Sequence, residues 1–414
     1  MDILQQVFEE ELNGQLGIEV VLARIVSHKF QEYGVVLTES QEAAIENQFK
    51  AGKFDQLDFA LTDEQEAKLK SSGDTDKVVL ELNEKDVDVY FAKLTEVVSE
   101  VVSQVPATIG RLVIEGFKEQ TPEALRQKAQ DEQAFRELLL RHWGKPLILL
   151  ETLIGVCLEL GFQFNEHFGL RPDADRDLVA EALIRLHARG CQVSSEIVTL
   201  LKHGFAEGAY ARWRTLHEMN VTGNFLARQG SEVAERYLMH HGVSDYKDAL
   251  DYQKHCVTLG WAPISADELL HIKEAYDQLL EKYGEHFKNK YGWAAKALGK
   301  ANPNFSEIEQ LAGLSHSRPF YLMGNLSVHA SSKGTLFRLG APPGSSNMLV
   351  AGPSLFGFAE PGQATAWTMN QLTGALLLTN PNIDSITLVG ATSMLVDEIY
   401  EAFYEAENTL ESSK

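Results

Sequence analysis

The sequence predicts an all-α protein, mainly a helical bundle. Apolar residues recur at steps of three and four through most of residues 145–410, and Gly residues follow directly on cation-bearing segment ends. Alternating apolar–polar patterns are nearly absent. The bundle is expected to rest on a long antiparallel hairpin of helices over 177–203 and 206–228. Two regions are expected: an acidic, mostly helical N-terminal extension over 1–125 and a helical domain over 126–414. In the first, acidic residues outnumber basic ones roughly two to one.

Taken in order, "LTESQEAAIENQFKAG" and "LTDEQEAKLKSSG" each open with a Thr ahead of acidic and Gln residues and close at Gly, the start and stop signals of helices. Their spacing is too loose to read as a repeat. "DKVVLELNEKDVDVYF" alternates Val78, Leu80 and Leu82, which predicts one short strand. "TEVVSEVVSQVPATIGRLVIEGF" returns to helical spacing. Pro122 is expected to start a further helix that stops at Gly144. "PLILLETLIGVCLELGF" reads as a buried helix, since Glu151 and Glu159 interrupt it and it falls short of the roughly 20 apolar residues of a membrane span.

Across 175–203 one stripe runs through Val179, Leu183, Leu186, Gly190, Val193, Ile197 and Leu201. Lys202 and His203 precede Gly204, the chemistry of a helix end. The second hairpin helix runs from about Ala206 to Arg228 and stops at Gly230. Gly204, Gly208, Ala209 and Ala211 are small enough for the two helices to approach closely. Further helices are expected at 231–259, 265–287, 289–298, 306–315, 318–330, 363–379 and 385–410. "LGAPPGSSNMLVAGPSLFGFAEPG" is a long Pro/Gly-rich loop of the kind that often shapes a site.

Hydrophobic content of 44% and 23% charged residues are ordinary for a globular protein, whereas a net charge of −22 is not. That charge repels nucleic-acid backbones at long range, so an RNA partner requires a local basic patch. The three cysteines stand far apart without metal-ligand spacing, and the acidic N-terminus lacks the pattern of a secretory signal. The expectation is a cytoplasmic protein with reduced thiols, no cofactor, no metal and no membrane partner. No phosphate-binding Gly loop or nucleophile motif occurs.

The residues able to carry chemistry gather in two helical segments. "ARWRTLHEMN" interleaves Arg212, Arg214, His217 and Glu218 with apolar side chains, and Tyr210 precedes it on the same flank. Arg212 is drawn toward an apolar interface and so must be paired. Arg offers a planar fork for phosphate or carboxylate, and His moves a proton near neutral pH. "RPFYLMGNLSVHASSKG" stacks Arg318, Tyr321, Asn325 and His329 at steps of three and four, with Val328 and Ala330 expected to be buried around His329 and Arg338 close behind. The plain alternative for both is an ion-pair network and a polar outer face. Arg185-x-His187 reads as an interhelical hydrogen-bonding pair.

Several separated motifs, from "LHARGCQVSSEIVTLLKHGFAEGAYARWRTLHEMN" through "RPFYLMGNLSVHASSKGTLFRLG" to "LLLTNPNIDSI", resemble a bacterial all-helical family of unknown function over Phe135–Glu405. That resemblance implies an intracellular bacterial protein. The Arg212-x4-His217 spacing on a helical hairpin is similar to that of HEPN ribonucleases, although Trp213 stands where those proteins usually carry a polar residue. This second resemblance implies a metal-independent RNA-cleaving or toxin-type protein in antiviral defence, acting as a homodimer on RNA. His217 and His329 would then share the proton transfers while Arg212 and Arg214 stabilise transition-state charge. The rival reading is a non-catalytic sensor or scaffold holding a small anion or a partner protein in an Arg/His pocket, with the acidic N-terminal region as a further protein-binding surface.

Overall fold

A computed structural model of the chain describes residues 17–71, 80–81, 84–168, 177–342, 344–345 and 349–412. Within them every regular element is a helix. Of the alternating Val78, Leu80 and Leu82 only Leu80 is described, and it lies outside any strand, while residues 84–91 of the same segment are helical. Val78 and Leu82 lie outside the described residues. The chain divides into two units, Met1–Gln130 and Asp131–Lys414.

The first unit contains α1 (Ile18–Glu32), α2 (Glu39–Lys50) and α3 (Asp63–Ser71) around Val26, Phe30, Val35, Ile45, Phe49 and Leu69. Thr38 caps α2: its hydroxyl accepts from the Gln41 N–H, and the Gln41 side chain accepts from the Thr38 N–H at 2.9 Å. Thr62 and Gln65 repeat these bonds at α3. The two Gln amides then bond each other, at 2.8 and 3.0 Å, and each donates to a carbonyl just ahead of the other's cap, Ala60 and Val36. Segments too loosely spaced to read as a repeat therefore meet as matched halves about a buried amide pair.

Helix α4 spans Glu84–Phe168 without a break, which corrects the expected start at Pro122 and stop at Gly144. Packing overrides the stop at Gly144, whereas residues 117–134 around Pro122 are all exposed, so burial does not account for the helix running through Pro122. Leu139, Trp143, Leu147, Leu150, Leu153 and Cys157 keep helical spacing across Gly144 and Pro146, and all are buried. Trp143 stacks on Phe358 at 4.9 Å and donates its indole N–H to the Leu355 carbonyl at 2.9 Å. The expected buried helix is buried on one face only. Ile148, Leu158 and Phe162 are exposed, and a segment within Val113–Phe168 is long and apolar enough to cross a membrane by length and composition, with 39% of it buried.

The hairpin is the centre of the second unit. Helix α5 (Leu178–Lys202) begins at Asp177, whose carboxylate accepts from the N–H groups of Val179 and Ala180. Helix α6 (Ala206–Gln229) returns antiparallel to it. Gly204 turns the chain at φ +85°, where a side chain would also collide with Pro353 and Phe135. The long loop closes over this turn: the Ser354 N–H donates to the Gly204 carbonyl at 2.9 Å.

Past the hairpin run α7 (Ser231–Met239), α8 (His241–His255), α9 (Ala266–Tyr283), α10 (Ala295–Leu298), α11 (Phe305–Leu311), α12 (Arg318–Gly324), α13 (Ser332–Leu336), α14 (Ala359–Leu377) and α15 (Ile383–Ser412). The helix expected over 231–259 breaks at His240, whose ring bonds the carbonyls of Phe287 and Asn289. The one expected over 318–330 ends at Gly324, because Gly and Asn325 are weak helix formers and Ser331 caps a new helix. Helix α14 crosses both hairpin helices, with Leu372 placed between Gly190 and Gly223, and α15 packs on α14.

The turn geometry has a measurable consequence. Gly204→Ala places a Cβ in the left-handed region and against two neighbours, so it should cost about 2–4 kcal/mol in denaturant unfolding. Gly208→Ala meets only ordinary contact with Leu200 and should leave stability within about 0.5 kcal/mol or raise it. Equal midpoints for the two variants would refute the strain at the turn.

Candidate functional site

Three elements build the polar cluster. Helix α6 supplies Trp213, Arg214, His217 and Glu218 on one side, α11 supplies Glu309, and α12 supplies Arg318 and Tyr321. Helix α11 is set by a capping box in which the Asn304 side chain and Glu307 bond each other's backbone N–H. Helix α12 is tied to α6 by the Tyr210 hydroxyl, which donates to the Phe320 carbonyl at 3.1 Å. Burial pushes the Tyr210 phenol upward, with the Glu360 carboxylate adding to the effect.

At the floor of the cluster, His217 Nε2 lies 2.9 Å from Glu309 Oε1, and both side chains are only 1% exposed. The second Glu309 oxygen accepts from Arg318 Nη1 at 3.2 Å. Trp213, Tyr321 and Phe305 surround the imidazole, with ring centroids 5.3, 5.6 and 6.3 Å away. An interior carboxylate and imidazole persist only when paired in this way.

Tyr321 forms the wall. Its hydroxyl accepts from Arg214 Nη2 at 2.7 Å and donates to Glu218 Oε1 at 2.7 Å, while Arg214 also pairs with Glu218 at 3.1 Å. The Arg214 and Arg318 guanidinium carbons stand 4.8 and 5.5 Å from the centre of the Tyr321 ring, both within cation–π range. Burial, reinforced by the hydrogen bond to Glu218, pushes the Tyr321 phenol up to about 12. Arg214, Glu218 and Arg318 are partly exposed, at 23, 41 and 35%. Arg214 Nε is buried without a hydrogen-bond partner, as are Asn325 Oδ1 and Glu207 Oε1.

The structure thus brings Arg214, His217, Glu218, Arg318 and Tyr321 together. Arg212 bonds Glu196 of α5 and Thr215, so it faces the hairpin partner and not the imidazole. Five helical positions separate it from His217 by about 140°. His329 is exposed, and Val328 and Ala330, expected to be buried, are exposed too, because α12 has already ended. Arg338 bonds the Gly334 and Phe337 carbonyls. Glu309 and Glu196 were not singled out from sequence: "FSEIEQL" carries a visible cap but no mark that its second Glu is buried.

A second buried polar group lies between α5 and α14. His187 Nε2 is 3.0 Å from the Thr373 hydroxyl, and its Nδ1 is 3.8 Å from the Cys191 sulfur. The expected interhelical bond is made by His187, while Arg185 pairs with Glu181 on its own helix. Burial lowers the His187 pKa to about 4 and raises the Cys157 thiol to about 11.

Residues 180–345 match a family of unknown function (DUF5677). The matched stretch runs from α5 through α13 and so includes the polar cluster; it is narrower than the Phe135–Glu405 region over which the motifs were read. No curated protein and no solved structure matches the chain.

Two measurements test these assignments. His217→Ala leaves Glu309 buried beside Arg318 alone and should lower unfolding free energy by about 3–5 kcal/mol. Arg212→Ala, at a pair 27% and 39% exposed, should cost about 1 kcal/mol or less. A His217/Glu309 double-mutant cycle should show coupling above about 1 kcal/mol, and additivity would dissolve the pair. For His187 the folded pKa lies below its ordinary 6.5, so its contribution is complete above that pH and is lost as pH falls toward 4. The loss should approach roughly 3 kcal/mol, and His187→Gln should flatten stability across that window.

Proposed function

We propose that this protein is a non-catalytic helical binding protein whose Arg214/Arg318 pair receives an anionic group, a carboxylate or phosphate, from a small ligand or a partner. The observation that carries this reading is the pair of partly exposed guanidiniums against one Tyr321 ring, with Arg214 Nε buried and unpartnered. A guanidinium presents its donors in a planar fork suited to such oxygens. Glu218 occupies that fork in the free protein, and its exposed carboxylate is the group an incoming anion displaces. The buried His217–Glu309 pair holds Arg318 and the floor in place.

One observation favours the ribonuclease reading: an imidazole bonded to a carboxylate beside two arginines has the composition of a general base with its orienting group. Against it stand the enclosure of His217 by three aromatic rings and the pairing of Arg212 with Glu196. Titration with inorganic phosphate should give saturable binding that weakens about tenfold in Arg214→Gln and in Arg318→Gln, as loss of one charge-assisted bond requires. No binding, or binding indifferent to both variants, would discard the anion site. RNA cleavage in the presence of a chelator that disappears in His217→Ala would replace this reading with the ribonuclease one.

A further inference from the structure

Helices α8 and α9 pack on each other as an antiparallel pair, and α9 buries none of its residues. The turn between them displays large apolar side chains: Val257 is 78% exposed and Trp261 56%, with Leu259 between them and Leu250 and Leu270 exposed on the helices just behind. Scattered exposed leucines need no explanation, but a cluster at one tip with a Trp at its centre marks an interaction site.

This turn is held rigid in the conformation that displays them. The Gln253 side chain accepts from the Ile264 N–H at 2.9 Å and donates to the Ile264 carbonyl at 3.3 Å, bridging the turn from inside. Tyr252 donates to the Ala262 carbonyl at 2.9 Å and stacks on the Trp261 ring at 5.8 Å. The Trp261 N–H bonds the Cys256 carbonyl, Gly260 takes φ +73°, and the Ser265 hydroxyl caps α9. Side chains fixed before contact lose little entropy on binding, and a rigid Trp is the commonest residue to dominate an interface.

The charge around the tip selects the kind of partner. Between residues 241 and 283 there are eight acidic residues against four lysines, and no arginine. Asp267 and Glu268 stand next to the apolar turn, as does Asp251, which lies 3.8 Å from Lys254 Nζ. We infer that the α8–α9 tip is a docking knob for another protein, one presenting an apolar pocket rimmed by Lys and Arg. The same acidity opposes an anionic bilayer and opposes pairing with a second copy of the tip, which would bring like charges together. This inference rests on observations independent of the anion site.

The test uses the full chain with Ala262→p-benzoylphenylalanine, photo-crosslinked in cells, and identifies the adduct. The expected adduct is a different protein. That protein, purified, should bind the unmodified chain directly. The Leu259→Ser/Trp261→Ser double variant should weaken binding by about thirtyfold or more while circular dichroism shows it still folded, the loss of the Tyr252–Trp261 stack being confined to the turn. Asp267→Lys/Glu268→Lys should weaken it about tenfold at low salt and less at high salt. The inference is overturned if no protein adduct forms, if the only adduct is the chain itself, or if the purified protein binds the double variant equally well. Trp261-dependent binding to phosphatidylcholine vesicles in place of a protein would overturn it in favour of a membrane contact.

Discussion

Leu372 projects from α14 into the gap between the hairpin helices, with one methyl against Gly190 of α5 and the other against Gly223 of α6. A Cβ on either glycine would come within 3 Å of these methyls, so the two glycines let the three helices approach closely around the leucine. Around that contact α14 makes its polar bonds to the hairpin: Trp213 to Thr368, His187 to Thr373, and Asn220 to Gln371. Trp213 is anchored from behind by Thr368, and its ring in turn flanks His217. The orientation of the polar cluster therefore traces back to a close apolar approach on the opposite side of α6.

The cluster itself is expensive. Burying an imidazole, a carboxylate and part of a guanidinium costs more desolvation than an apolar core of the same volume. Within it each buried charge is answered by a neighbour: Glu309 by His217 and Arg318, Arg214 by Glu218 and the Tyr321 hydroxyl. Arg214 Nε remains without a hydrogen-bond partner.

How much of this was legible differs from residue to residue. The steps of three and four that gather Arg214, His217 and Glu218 on one flank are a property of the α-helix and needed no tertiary information. Arg318 and Tyr321 share a face for the same reason, and both reach the cluster. His329 shares their spacing on paper but not their helix, because Gly324 and Asn325 end it first. Arg212 illustrates a different limit: the pattern called for a partner, yet an ion pair needs only proximity, and Glu196 on α5 leaves no periodic signature linking it to α6.

The sequence by itself determined the helical class, the hairpin with its turn at Gly204 and the residues that share each helical face, because these depend on local backbone preference and on periodicity. Tertiary structure alone decided that α4 continues through Gly144 and Pro146, since burial of a continuous apolar face outweighs a breaker's local penalty. It also decided which charges meet. Glu309 reaches His217, and Gln41 reaches Gln65, across chain separations where no local rule operates; only the packing of whole helices brings such groups within hydrogen-bond distance.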